Sequence, residues 1–424
     1  MTPALFMSAR RPASEPLPST VAFAARRGLQ AVCLAGLLSV LAACSEGAAQ
    51  SGSDPAPVAS PPPTAIVVSA VDAPSRVTGS DGLAHLSYDL IVTNAFTAPV
   101  TLASLAVLGE NGESLRTLSG AELAQRVEAV LGTTPLSQTE AIVPTSGSVA
   151  VVVDVAVPPG AVPARLSHRI AYAVPPNAPA IALIGSYDFQ GPVLDVSRVD
   201  ALVVAPPVRG SGWLSFNGCC DPNAHRSLRN AIGGTKLVKG ETYAIDYVLM
   251  RGGTFFAGDG TSNAQHYAYG AELLAVADGD VVFVRNDMPD ESPFLPVQNV
   301  RRPADYAGNQ VVLRIGPNRW ALYGHMQRGS ATVRVGDRVR AGQMLGLLGN
   351  SGNTTLPHLH FEIMDNPVNT SASSVPYVFD DYTLEGTISP SAIQAPPGPG
   401  GFPISTTSSR QRQTHPLWLT ISRF

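Results

Sequence analysis

Apolar, β-branched residues along this chain gather in short runs broken by turn residues. Ala65-Ile-Val-Val-Ser69, Leu86-Ser-Tyr-Asp-Leu-Ile-Val-Thr93 and Val149-Ala-Val-Val-Val-Asp-Val-Ala156 have the length and composition of strands. A helical stretch, Gly120 to Leu131, is expected to interrupt them. Strands at this spacing predict a β-sandwich of immunoglobulin-like type over residues 65–208. Its histidines, His85 and His168, stand apart, so it reads as a spacer or regulatory module. Pro206-Pro207 and Gly210-Ser-Gly212 mark a boundary. Residues 213–385 are strand-rich again, which makes the predicted fold class all-β. The stretch 386–424 is largely Ser, Thr, Pro and Gly and is expected to be a flexible C-terminal tail.

A different pattern opens the chain. Arg26 and Arg27 precede an apolar run, Leu29 to Leu41, that closes on Leu41-Ala-Ala-Cys44. This is the layout of a secretory signal over residues 1–43, too short to span a bilayer comfortably. Leu-Ala-Ala-Cys resembles the lipobox of bacterial lipoproteins. That resemblance implies cleavage before Cys44 and membrane attachment through its lipidated thiol. The bland alternative is an ordinary cleaved signal in which Cys44 is incidental. Ser45 follows the cysteine, which in a Gram-negative cell points to the periplasmic face of the outer membrane, and otherwise to a cell-surface lipoprotein. Residues 44–64, small, polar and Pro-rich, read as a disordered tether.

Composition narrows the partners. Of 424 residues 14% are charged and the formal net charge is −4, so the basic footprint of a nucleic-acid binder is missing. Once the signal leaves and Cys44 is lipidated, Cys219-Cys220 is the remaining cysteine pair. Its members can form a vicinal disulfide or stay as buried thiols, and the sequence leaves both open.

The chemistry concentrates in the second half, where five of the eight histidines fall between 225 and 360. In His358-Leu-His360-Phe-Glu362-Ile, strand alternation puts His358, His360 and Glu362 on one face and Leu359, Phe361 and Ile363 on the other. Two imidazoles on one rigid strand can address a single small site, one binding a metal and the other meeting its water. Trp320-Ala-Leu-Tyr-Gly-His325 predicts a second strand with Tyr323 and His325 on a common face. In Glu241-Thr-Tyr-Ala-Ile-Asp246-Tyr-Val248, Asp246 shares a face with Ala244 inside an otherwise apolar strand. Burying that acid is costly without a partner, a cation or an arginine. His225 lies upstream in a turn-like stretch. Between His325 and His358, Gly336-Asp337, Ala341-Gly342 and Asn350-Ser-Gly352 break very short strands that bring the histidine strands together.

Tyr-Gly-His325, Val-Gly-Asp-Arg-Val-Arg-Ala-Gly-Gln343, Gly349-Asn-Ser-Gly-Asn353 and His358-Leu-His360-Phe-Glu362 resemble the lysostaphin/LytM-type zinc metallopeptidases. The resemblance covers roughly residues 220–365. It implies a β-hairpin and sheet metallopeptidase domain, one Zn2+ per chain, and the peptide stems of peptidoglycan as substrate. Carried over, His360 and Asp246 become metal ligands, and His325 and His358 catalytic residues. One of the two is the expected general base, the other steadying the tetrahedral intermediate. Glu362 becomes a group orienting an imidazole. The chain departs from the pattern at the first ligand: the family separates a histidine and an aspartate by three residues, yet position 242 is Thr. His225, presented by a looped-out insertion, is the favoured replacement, with His266 as rival. The segment 286–308 is expected to wall the groove. Some members of the family lack ligands and act as non-hydrolytic activators of other wall hydrolases, which is the alternative reading. A biotinyl-type carrier is excluded because no lysine follows Lys239, and neither Gly-x-Ser-x-Gly nor His-Glu-x-x-His occurs.

Overall fold

The computed structural model describes residues 60–132, 134–394 and 400–424. The signal segment, Cys44 and most of the tether therefore lie outside the described residues. Among the described residues no helix is long and apolar enough to cross a membrane. The secondary structure is almost entirely strand, so the fold is all-β.

Two sheets make the N-terminal half. One carries strands Ile66–Ala70, Ser75–Thr78, Ala84–Asn94, Ser148–Val157 and Val127–Ala129; the other is centred on Val100–Leu108 and Arg165–Ala173. Leu86, Tyr88 and Leu90 from the first meet Val107, Leu166 and Ile170 from the second in one apolar core. The predicted helix over 120–131 is much shorter, Gly120–Ala124. Its expected second half is strand instead, because Val127 and Ala129 pair with Val151 and Val149, and that pairing outweighs a weak local helical preference.

The second half is built on a ten-stranded antiparallel sheet. Its central strands, Arg319–Met326, Leu359–Met364, Ile245–Leu249 and Trp213–Phe216, lie side by side. Two short strand pairs stand outside it, the hairpin of Arg229–Ile232 with Lys236–Lys239 and the long-range pair Glu272–Leu274 with Met344–Leu347.

Two expected boundaries move. Leu202–Val204, assigned above to the sandwich, pairs in parallel with Tyr377–Phe379, and Val204 and Val208 enter the core of the second half. Among the described residues of the expected tail 386–424, 400–424 are not loose, for they supply strands Ile404–Gln411 and Thr420–Arg423 to the large sheet. Leu419 and Ile421 pack with Leu214, Phe216 and Val248, and that burial fixes a segment whose Ser and Thr content looked mobile. Cys219 and Cys220 form a buried vicinal disulfide.

Candidate metal centre

Strand Leu359–Met364 holds the middle of the site, between Arg319–Met326 and Ile245–Leu249. Leu359, Phe361 and Ile363 enter the apolar core, so His360 and Glu362 face the other way. Antiparallel register sets Asp246 directly opposite His360 on one side and Gly324 on the other. His225 arrives from the loop that follows Trp213–Phe216. Its Nε2 lies 3.1 Å from Asp246 Oδ2, while His360 Nδ1 lies 3.1 Å from Asp246 Oδ1. One ligand-type atom from each of these residues falls within 4.8 Å of the other two, and all three residues are buried.

His358 sits beside this group, its Nε2 3.2 Å from Asp246 Oδ1. His325 joins it by a route that alternation does not predict. Tyr323 points into the core, its hydroxyl accepting from Val276 N at 2.8 Å, so the two residues do not share a face. His325 has φ of 59°, and this left-handed step reverses the alternation. Its ring comes to rest 4.6 Å from that of His358.

Backbone carbonyls fix the tautomers of three rings. The Nδ1–H of His325 donates to Ser351 O at 2.7 Å, that of His358 to Leu356 O at 2.8 Å, and that of His225 to Ala244 O at 3.3 Å. Each Nε2 then faces a shared cavity, which Asn217, Glu241 and Tyr306 also line, with those of His225 and His358 lying 3.1 and 3.2 Å from the Asp246 carboxylate. Asn217 donates to Asp246 Oδ2 at 2.9 Å and so orients the carboxylate.

The electrostatics follow from burial and this crowding. Burial works against the Asp246 anion, but the imidazoles of His225 and His358 hold its carboxyl well below the usual range. Burial likewise disfavours the His360 cation, yet Asp246 and Glu241 raise its pKa well above the ordinary histidine value. Burial, reinforced by His358 and His360, pushes His325 far down and keeps it neutral. Burial pushes Glu362 up to about 7. Its Oε1 lies 3.8 Å from His360 Nε2, a ring nitrogen that has no hydrogen-bond partner.

The donor set suits a zinc ion. His225, Asp246 and His360 would hold it, since two imidazoles and a carboxylate are the donors of a catalytic zinc site and their ligand-type atoms lie within 4.8 Å of one another. His360 would bind through Nδ1, which leaves its Nε2 3.8 Å from Glu362 and 3.9 Å from Glu241, two carboxylates close enough to act on the ring by charge.

The structure thus brings together His225, Asp246, His325, His358 and His360, with Glu362 behind them. It leaves His266 out, its Nε2 donating to Gly260 O at 2.9 Å and its ring against Phe256 and Phe294. Sequence reasoning passed over Glu241, whose carboxylate lies 3.8 Å from His225 Nε2 and 3.9 Å from His360 Nε2. A buried acid next to Thr242, the position where the family has its histidine, was the available signal.

Residues 264–371 match Peptidase family M23. This part of the chain is an M23 peptidase domain. The match takes in His325, His358 and His360 but begins downstream of His225 and Asp246, where the chain departs from the usual spacing. Peptidoglycan DD-endopeptidase ShyA of Vibrio cholerae is 33% identical over 109 residues, 25% of this chain and 21% of that protein. Murein hydrolase activator EnvC of Escherichia coli is 37% identical over 97 residues, 22% of this chain and 18% of that protein. The catalytic domain of lysostaphin from Staphylococcus simulans matches at 20% identity and a TM-score of 0.22, over 40% of this chain and 88% of that one. The chain spans about a fifth of the length of the two sequence relatives.

Proposed function

We propose that this protein is a zinc-dependent endopeptidase that hydrolyses the peptide cross-links of peptidoglycan, secreted and lipid-anchored through Cys44. The observation that carries the hydrolytic reading is the convergence of His225, Asp246 and His360 on one point, with His325 and His358 beside it. Bound there, zinc supplies Lewis acidity, which lowers the pKa of a water and polarises a scissile carbonyl. His325, neutral and tethered at Nδ1, offers Nε2 to accept a proton from the attacking water. His358, held the same way by Leu356 O, can donate to the oxyanion or to the departing amine once its Nε2 has taken up a proton. Asn217 keeps Asp246 from rotating, and Glu362 steadies His360. The membrane anchor rests on the sequence around Cys44 alone.

The alternative is a non-hydrolytic activator; EnvC's name makes that relative an activator of murein hydrolases. A complete set of donors disfavours it, since an activator has no use for buried, closely spaced imidazoles around a carboxylate. Two measurements on the full chain test the reading: metal content by atomic emission, and release of muropeptides from purified sacculi. One zinc per chain is expected, with product release falling at least a hundredfold in His360→Ala. A metal-free chain that releases nothing from sacculi overturns the enzyme.

A further inference from the structure

We infer that the N-terminal half positions a metal ligand: Asp89 and Glu128, on its five-stranded sheet, hold the loop that presents His225. This rests on the reading of His225 as a ligand. Residues 217–228 contain no helix or strand, so the loop has no ladder of its own to fix where His225 points. Asn223 gives local order, accepting from His225 N and Arg226 N and donating to Gly218 O. Ties to the other half flank His225: Arg126 donates to Asp221 Oδ1 at 2.8 Å before it, and the buried ones begin one residue after it. Arg226, wholly buried, donates to Asp89 Oδ1 at 2.6 Å and to the carbonyls of Tyr88 and Val153, each at 2.9 Å. Ser227 Oγ donates to Glu128 Oε1 at 2.7 Å. Arg229 bridges both acids, reaching Asp89 Oδ2 at 2.9 Å and Glu128 Oε2 at 2.7 Å.

The acids are placed for this by strand alternation. Leu86, Tyr88 and Leu90 fill the apolar core, which turns Ser87 and Asp89 to the outer face. An outer face would ordinarily be wet, yet Ser87 and Asp89 are completely buried beneath the loop. Three short, charge-assisted hydrogen bonds, Arg226 to Asp89 and Arg229 to Asp89 and Glu128, chain two guanidiniums to two carboxylates and limit how far the loop can shift. Buried ion pairs add little net stability compared with apolar packing, but they are directional. Metal ligands need that precision, with distances held within about 0.2 Å. His225 adjoins Arg226, so whatever moves the guanidinium moves the imidazole.

The test is zinc affinity of the full chain, by competition with a chromophoric chelator, in Asp89→Asn, Ser227→Ala, His225→Ala and the double variant Asp89→Asn/His225→Ala. Removing an outer partner of a ligand typically weakens metal binding 10- to 100-fold. Asp89→Asn is expected to weaken binding at least tenfold, and Ser227→Ala, which keeps both ion pairs, two- to fivefold. In the His225→Ala background the Asp89 change should add less than threefold, since the ligand it positions is gone. Asp89→Asn takes the carboxylate from Arg226 and one of two from Arg229; should that chain not fold, Ser227→Ala decides alone. Zinc affinities within twofold of wild type in the folded variants overturn the positioning role while leaving the metal centre standing. A wild-type chain that binds no zinc overturns the metal reading, and the inference with it.

Discussion

At the scale of single residues, the site depends on one carbonyl being in the right place. Ser351 O accepts from His325 Nδ1, and Gly308 is pressed against the same carbonyl with φ of 64°. A Cβ at 308 would collide with Ser351 and would sit in left-handed backbone that only glycine adopts without cost. Gly308→Ala should therefore destabilise the protein by about 1–3 kcal/mol and, by shifting Ser351, lower turnover at least tenfold at unchanged zinc content. Turnover within twofold of wild type would show that His325 needs no such anchor. A second residue governs stability against pH. Burial pulls the His85 imidazole down, but hydrogen bonds to Asp154 at 2.8 Å and Asp81 at 3.2 Å hold it up at about 10. Its folded value thus exceeds the unfolded one near 6.5, so its contribution is complete below about pH 6.5 and is lost as pH rises towards 10. Unfolding free energy should fall between pH 7 and 9.5 at a slope of up to about 1.4 kcal/mol per pH unit from this proton, and His85→Gln should remove that slope. Equal slopes in urea titrations of the two chains would refute it. Neither effect can be read from sequence spacing, because both depend on partners brought close by folding.

At the scale of elements, alternation carried most of what was legible. The strand with His360 and Glu362 behaves as its pattern requires, with His358 just before its first residue, and an acid in an apolar strand located Asp246 across from it. What escaped was whatever breaks alternation or follows no ladder: the left-handed step at His325, the position of Glu241, and the helix that stops at Ala124 so that Glu128 can join a sheet. Thr242 showed that a histidine was missing, and only folding shows which distant one takes its place. The segment 286–308 was legible as an insertion, and Val297 and Tyr306 from it line the cavity. It is firmly seated: Glu291 accepts from Gln298 N and Asn299 N, and its carbonyl accepts from Asn263 and Asn350. A bulkier side chain at 297 should therefore narrow the groove without loosening the metal group. Val297→Trp is expected to raise KM for a cross-linked muropeptide five- to twentyfold, with kcat within twofold and zinc content unchanged. An unaltered KM would place the substrate elsewhere.

At the scale of the whole molecule, the last residues tie the two halves together. His415 N donates to Thr78 O and His415 O accepts from Ser80 N, while its Nδ1–H donates to Tyr377 O at 3.0 Å. Beyond it, Thr420–Arg423 is inserted between Trp213–Phe216 and Tyr382–Ile388. Phe424 packs its ring against Tyr247, Phe379 and Tyr382, at centroid distances of 5.6, 5.3 and 5.6 Å. Strand Trp213–Phe216 in turn pairs with Ile245–Leu249, with Phe216 directly opposite Asp246. The C-terminal strand is thus two strands away from the metal group. Leu419 and Ile421 each contribute about 1.5–3 kcal/mol by burial and the half-buried Phe424 less, a sum that is a large part of the total stability of a typical domain, about 5–15 kcal/mol. Deleting residues 412–424 removes all three and leaves Trp213–Phe216 as an unpaired edge beside the site. The shortened chain should lose its cooperative thermal transition and its zinc together, and recover neither when excess zinc is added. Melting within 5 °C of the full chain, with zinc retained, would mean that the halves hold without this strand and that the segment is the dispensable tail its composition suggested.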